Sequence, residues 1–185
     1  AEKEEAARQG ISVNNLLESE YKKEGPTGLL VLPHFAGAAT PYMDTGSRGA
    51  ILGLTAGTSL AEIYRACMEG VAYEMRLNYD AIADSGIHFA KLHATGGGAK
   101  SRVWMQMKAD ILNLPITSLQ TSDAGTVGSA MLTGVAAGVF RDLAQAAEIM
   151  VRERETFEPD PERHEQYMQV YERYKKVYSA VRPLM

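Results

Sequence analysis

The sequence predicts an α/β fold, and three observations carry that prediction. In the second half, short apolar runs alternate with stretches of helical period: 89–95, 101–114, 115–119 and 125–139. Strands separated by helical stretches of this length point to parallel pairing through helical crossovers, with some layering of helix on sheet. A run of glycines, Gly96-Gly97-Gly98, stands where one of those strands turns into its helix. Helix-start signals also recur ahead of the periodic stretches: Ser59 with Glu62, Asp142 with Gln145, and Asp160 before Pro161. The first two pairs are capping boxes, and the third is an N-cap followed by proline at the first helical position.

Taken in order, residues 1–24 are charged, with Ile11, Val13, Leu16, Leu17 and Tyr21 spaced for one amphipathic helix. Gly25-Pro26-Thr27-Gly28 breaks the chain, and 29–32 is a buried strand ending at Pro33. Residues 34–48 read as a long loop punctuated by Gly37, Pro41 and Gly46, and a loop of that length is usually functional or makes a domain contact. A second short strand at 50–54 precedes a helix expected from Ser59 to Asp84 and closed by Gly86. Ala66 and Gly70 lie four apart in it, so one face can approach another element closely. After the strand at 89–95 and the glycines, a helix starting near Ser101 places Val103, Trp104, Met107, Ile111 and Leu112 on its apolar side. The strand at 115–119 should pair parallel with 89–95, because the intervening segment is long enough for a crossover. The small-residue helix at 125–139 should pack close to this unit, and a last helix from Pro161 carries Tyr167, Val170, Tyr171, Tyr174, Val177 and Tyr178. That tyrosine stripe reads as packing.

Composition excludes several classes of function. The chain has 185 residues, 45% apolar and 23% charged, with a net charge of −4; that suffices for one domain with a real core or two very small ones. No basic block with interleaved aromatics suggests a nucleic-acid partner, and no apolar run approaches a membrane span. The single Cys67 and four scattered histidines give no disulfide and no zinc spacing. The Ala-Glu-Lys-Glu-Glu start is no signal peptide, and a reducing cytoplasm is the expected location. A start without Met, inside a charged helical stretch, reads as a piece of a longer protein.

The chemistry points to the glycine turn. Glycines there let a ligand lie directly on the backbone, since no Cβ stands in the way, and a following helix start offers N–H groups to an anion. The plainer alternative, a tight turn that needs glycine only for its dihedrals, weighs equally on the pattern alone. Two common phosphate cradles fail: Ala99 separates Gly98 from Lys100, so there is no Gly-Lys-Ser/Thr, and Ser101 stands where a dinucleotide fingerprint needs its third glycine.

Three stretches then resemble the FGGY family of carbohydrate kinases, of the actin/hexokinase/Hsp70 superfamily. Thr95-Gly-Gly-Gly-Ala-Lys-Ser101, followed by Val103 to Pro115, is similar to the family's adenosine motif and the helix after it. Gly49-Ala-Ile-Leu-Gly53-Leu54, seven residues and then Glu62-Ile63-Tyr-Arg-Ala66-Cys67-Met68-Glu69 resembles its C-terminal signature, with Cys67 as the uncommon residue. Asp123 to Gly138 resembles its small-residue helix. The three occur in the family's order over residues 30–150.

The resemblance implies a ribonuclease-H-like (actin-like ATPase) domain, incomplete at its N-terminus, with the whole of residues 1–185 belonging to the C-terminal domain. It implies ATP and Mg²⁺ as cofactors and transfer of the γ-phosphoryl group to a hydroxyl of a ketose, with a pentulose such as xylulose favoured, or of a polyol. Gly96, Gly97, Gly98 and Ser101 would hold the nucleotide, with Gly97 and Gly98 against the adenosine and α-phosphate and Ser101 near the adenine. Lys100 reads as an ordinary solvated lysine. No catalytic residue and no protein metal ligand is expected in this chain, which by itself should be inactive; the base and the first phosphate loop would lie in the missing N-terminal domain of the same polypeptide. A homodimer is left open. Around 33–49 the chain departs from both xylulose kinases (Gly37-Ala38-Ala39-Thr40-Pro41 where they carry Gly-Glu-Arg-Thr/x-Pro) and glycerol kinases (Met43 where these often carry Trp), which leaves a glycerol-kinase-like activity as the alternative. Phe35 is the candidate substrate contact. A non-catalytic actin-like nucleotide-binding module is the rival class, disfavoured by the signature at 49–69. Trp104 could flank the adenine, although burial in the core is commoner. His34 and His93 read as structural, and Glu62 and Glu69 as helix capping and surface solvation.

Overall fold

The computed structural model describes residues 1–121 and 123–185 and divides into two compact units, Ala1–His88 with Pro161–Met185, and Phe89–Asp160.

The first unit opens with two helices, α1 (Glu2–Gln9) and α2 (Val13–Glu20), where one was expected. Gly10 takes the left-handed conformation, φ 66°, and closes α1, and Ser12 accepts the Asn15 N–H at 3.1 Å to start α2. A left-handed glycine followed by an N-cap serine ends one helix and begins another, whatever the apolar period across them. Leu16 and Leu17 are buried.

Strands β1 (Leu30–Leu32) and β2 (Ala50–Leu52) pair antiparallel, with Leu30 opposite Leu52. The loop between them holds a cis Thr40–Pro41 peptide. Helix α3 (Leu60–Asp84) spans the expected residues. Ser59 Oγ accepts the Glu62 N–H at 3.1 Å at its start, and Gly86, φ 85°, donates to the Ala83 carbonyl after its end. The small face works as expected. Ala66 is fully buried against Leu29 and Val31, and a Cβ on Gly70 would fall far inside contact distance of the Val31 carbonyl oxygen.

The closing helix is also two, α7 (Pro161–Tyr174) and α8 (Val177–Val181). Its tyrosines pack as expected: the Tyr73 ring of α3 lies 5.1, 6.0 and 6.4 Å from those of Tyr174, Tyr171 and Tyr167. Two of them also bond to acids of α3, Tyr174 donating to Glu74 at 2.6 Å and Tyr171 to Asp80 at 2.7 Å. His34 is buried, its Nδ1 2.8 Å from Ser47 Oγ and its Nε2 3.5 Å from Glu74, a structural role as anticipated.

Glu69 corrects the surface reading. Its side chain is fully buried and accepts from the Thr27 N–H at 3.0 Å and the Thr27 hydroxyl at 2.8 Å, with Arg65 Nε at 3.6 Å. Burial pushes its carboxyl up to about 7, against the opposing pull of Thr27 and Arg65. The helical phase that buries Ala66 and Tyr73 also turns Glu69 inward. The carboxylate ties the 25–28 break down to α3.

The second unit is a three-stranded sheet in the order β3 (Leu92–Ala94), β4 (Ile116–Leu119), β5 (Glu153–Phe157). As the sequence predicts, β3 and β4 are parallel neighbours, Leu92 opposite Ile116, joined through α4 (Arg102–Leu112). Strand β5, antiparallel to β4, is unanticipated: Glu153-Arg154-Glu155-Thr156-Phe157 has almost no apolar alternation, because it is an edge strand whose charged side chains face solvent. The buried face of α4 is Met105, Met107, Ala109, Ile111 and Leu112, whereas Val103, expected inside, is exposed. The small-residue helix α5 (Ala124–Ala136) packs on α6 (Leu143–Met150). It buries none of its residues, so its small side chains do not serve close packing against the strand–helix–strand unit.

Candidate functional site

At the carboxyl end of β3 the chain reaches Gly96, φ 86° and ψ −171°, a conformation open to glycine alone. Residues Gly97–Lys100 then form one 3₁₀ turn before α4 begins, so the helix does not open directly from the glycines. Its own cap is Ser101, whose Oγ accepts the Trp104 N–H at 3.0 Å. The acceptor side of that hydroxyl is therefore in use.

The three glycines do different things. Gly96 is required by its backbone angle, and a Cβ there would meet nothing within 4 Å. A Cβ on Gly98 would stand 2.8 Å from Trp104 Cζ3, so glycine lets the indole lie on the turn. Trp104 is half-buried, with Lys108 Nζ 3.9 Å from the ring centroid, a cation–π contact; burial lowers the Lys108 pKa. Gly97 is needed for neither reason: its φ is not left-handed and its Cβ position opens on empty space. The turn thus exposes bare backbone at Gly97, flanked by the one tryptophan in the chain.

The loop after β4 ends beside this turn. Thr95 Oγ donates to the Thr121 carbonyl at 3.1 Å and fastens the two strand ends together. Between them lies a cavity of about 80 Å³, lined among others by Gly96, Lys100, Gln120, Thr121 and Arg154. Its place outside the carboxyl ends of parallel strands is where ligands bind in open α/β sheets. Lys100, read from sequence as simply solvated, is one wall. Arg154 was missed, because it belongs to the strand that the apolar pattern does not reveal.

Gly96, Gly97, Gly98 and Ser101 are thus brought together in one turn. Phe35 belongs to the other unit. Its ring, 65% exposed, lies over Gly49. Nearby, Asp44 accepts from Tyr178 at 2.8 Å and pairs with Arg182, and these bonds hold its pKa below the usual carboxylate range. His93, in the middle of β3, pairs at 3.0 Å with Glu153, which lies opposite Leu119 at the carboxyl end of β4. Among the described residues no cluster of three or more His, Cys, Asp or Glu could hold a metal, and no helix is long and apolar enough to cross a membrane.

A model of the C-terminal domain of the FGGY family of carbohydrate kinases matches residues 1–137. A xylulose kinase of Staphylococcus epidermidis is 33% identical over 88% of this chain and 33% of its own length. A glycerol kinase of Vibrio parahaemolyticus is 36% identical over 92% of this chain and 34% of its own. The crystal structure of a xylulose kinase from Rhodospirillum rubrum superimposes with a TM-score of 0.78 and 29% identity, covering 97% of this chain and 35% of that one. The chain spans about a third of the length of these relatives.

Proposed function

Because the chain belongs to the FGGY family of carbohydrate kinases, we propose that it is the adenosine-holding part of a kinase that transfers the γ-phosphoryl group of ATP to a hydroxyl of a ketose or polyol. The observation that carries this is the bare backbone at Gly97. Nothing in the fold asks for glycine there, so the absent side chain leaves room for something from outside the chain. A nucleotide laid on Gly97 would have the Trp104 indole beside it. Ser101, its acceptor engaged by the cap, keeps its O–H to donate to the base. Mg²⁺ would arrive with the phosphates. In the transfer, the bond from the γ-phosphorus to the bridging oxygen of ATP breaks, a bond to the sugar oxygen forms, and the hydroxyl proton passes to a base elsewhere in the polypeptide. Chemistry of this class rests on positioning and charge stabilisation; this chain contributes positioning.

A pentulose such as xylulose is the favoured acceptor, with glycerol as the alternative; both kinds of relative share over 30% identity with the chain. Phe35, exposed on the first unit, is the candidate contact to it on this chain. Half-burial raises the Cys67 thiol pKa, and an unreactive lone thiol suits a cytoplasmic enzyme.

Trp104 supplies the test, as the single tryptophan. ATP or ADP added to the protein should change its emission saturably. No change in emission and no heat on titration into the millimolar range would refute nucleotide binding at the turn.

A further inference from the structure

We propose that the cavity at the ends of β3 and β4 is a separate anion site that takes a phosphate dianion, free or as the end of a phosphomonoester, between Lys100 and Arg154.

The β4–β5 ladder slips between Ser118 and Leu119: Glu155 lies opposite Ser118 and Glu153 opposite Leu119, so Arg154 is the extra residue of a β-bulge, a device that re-aims a side chain. Glu153 bonds Lys91 at 2.8 Å and His93 at 3.0 Å, and Glu155 bonds Arg102 at 2.7 Å. Arg154, the bulged residue between them, lines the cavity. Lys100 lines it too, from the 3₁₀ turn. Among the described residues neither the Lys100 nor the Arg154 side chain makes an ion pair or hydrogen bond, whereas Lys91, His93 and Arg102 nearby each bond to an acid of β5. No carboxylate lines the cavity. Two like charges beside one small space repel, and an anion between them would reverse the sign of that interaction.

The rest of the lining suits an oxyanion. Thr121 Oγ accepts the Asp123 N–H at 3.2 Å and so keeps its O–H to donate. The wall is held firm: Gln120 donates from its backbone to the Arg152 carbonyl at 2.9 Å and from its amide to the Glu153 carbonyl at 3.3 Å. A volume of about 80 Å³ holds roughly two or three waters, enough for one phosphate group and too little for a nucleoside. Guanidinium and ammonium together match a phosphate of charge about −2. Gly97, on which the proposed nucleotide rests, does not line this cavity, so a substitution there separates the two sites. Since Gly96 and Lys100 bracket that turn, an anion here would brace it from behind.

Titration calorimetry of the full chain with inorganic phosphate at low ionic strength is the test, with backbone amide shifts of Gly96 and Thr121 as a second readout. Binding at one site is expected. Arg154→Gln and Lys100→Gln should each weaken it about tenfold or more, the loss typical of one charge-assisted hydrogen bond. The control Lys22→Gln should not, and melting temperatures should show all three variants folded. Gly97→Val should retain phosphate binding even where nucleotide binding is lost. No binding of phosphate, equal weakening by Lys22→Gln, or loss of phosphate binding in Gly97→Val would each overturn the proposal.

Discussion

Replacing Gly97 with alanine, and then with valine, separates what the glycine does for the fold from what it does for a ligand. In the folded chain the added Cβ would meet nothing within 4 Å, and the backbone is not left-handed. Alanine therefore adds no clash and no strain, and by restricting the unfolded chain it should raise stability by about 0.4–1 kcal/mol. Its neighbours behave differently. Gly96→Ala forces a side chain onto φ 86°, at a cost of about 1–3 kcal/mol, and Gly98→Ala puts a methyl 2.8 Å from Trp104 Cζ3, so the indole must move. A nucleotide resting on Gly97 would collide with the new methyl, and more severely with valine. Loss of one close contact and the displacement that follows should weaken ATP by about 10–100-fold, or roughly 1.4–2.8 kcal/mol. Two assays read this: thermal melting for stability, and steady-state kinetics of the full-length enzyme with ATP and sugar varied in turn. The expected result is an unchanged or raised melting temperature, a KM for ATP raised by that factor, and a KM for sugar nearly constant. If both KM values rise together, or if alanine melts early, the glycine serves the fold and the nucleotide assignment loses its support.

Three further outcomes follow from named contacts. Glu69, its carboxyl pushed up to about 7 from an unfolded value of 4.5, holds a proton more tightly folded than unfolded. Its contribution to stability is therefore complete below about pH 4.5 and lost as pH rises through 7, by an amount on the order of 3 kcal/mol; urea midpoints between pH 5 and 7.5 should fall with pH, and Glu69→Gln should flatten that slope. Gly70→Ala drives a methyl into the Val31 carbonyl and should destabilise by about 1–3 kcal/mol in chemical denaturation; a loss under about 0.5 kcal/mol would mean that α3 and β1 pack less tightly than described. Ser101→Ala removes the α4 cap and should cost about 1 kcal/mol, and Ser101→Asp, which caps equally well, should restore stability while lowering ATP affinity by placing a carboxylate where the hydroxyl donates.

Local signals set much of this molecule. Capping residues and turn glycines act over a few positions and depend on nothing distant, so α3 from Ser59 to Asp84, the parallel β3–β4 pair and the gathering of Gly96, Gly97, Gly98 and Ser101 in one turn were legible from sequence. The spacing of Ala66 and Gly70 likewise announced a close approach, though not that β1 would fill it. Where local signals were misread, a stronger local signal had been averaged out: Gly10 and Ser12 split a helix that the apolar period joined. The remaining differences needed the tertiary structure. Strand β5 exists because β4 offers it an edge, and nothing in Glu153 to Phe157 demands a strand without that partner. Arg154 reaches the cavity only through that pairing. Glu69 is a buried clamp because the packing of β1 and the tyrosines of α7 decides which side of α3 loses water. The glycines show the division most clearly: in sequence Gly96, Gly97 and Gly98 are equivalent, and only the backbone angle at the first, the indole against the third and the empty space at the second tell them apart.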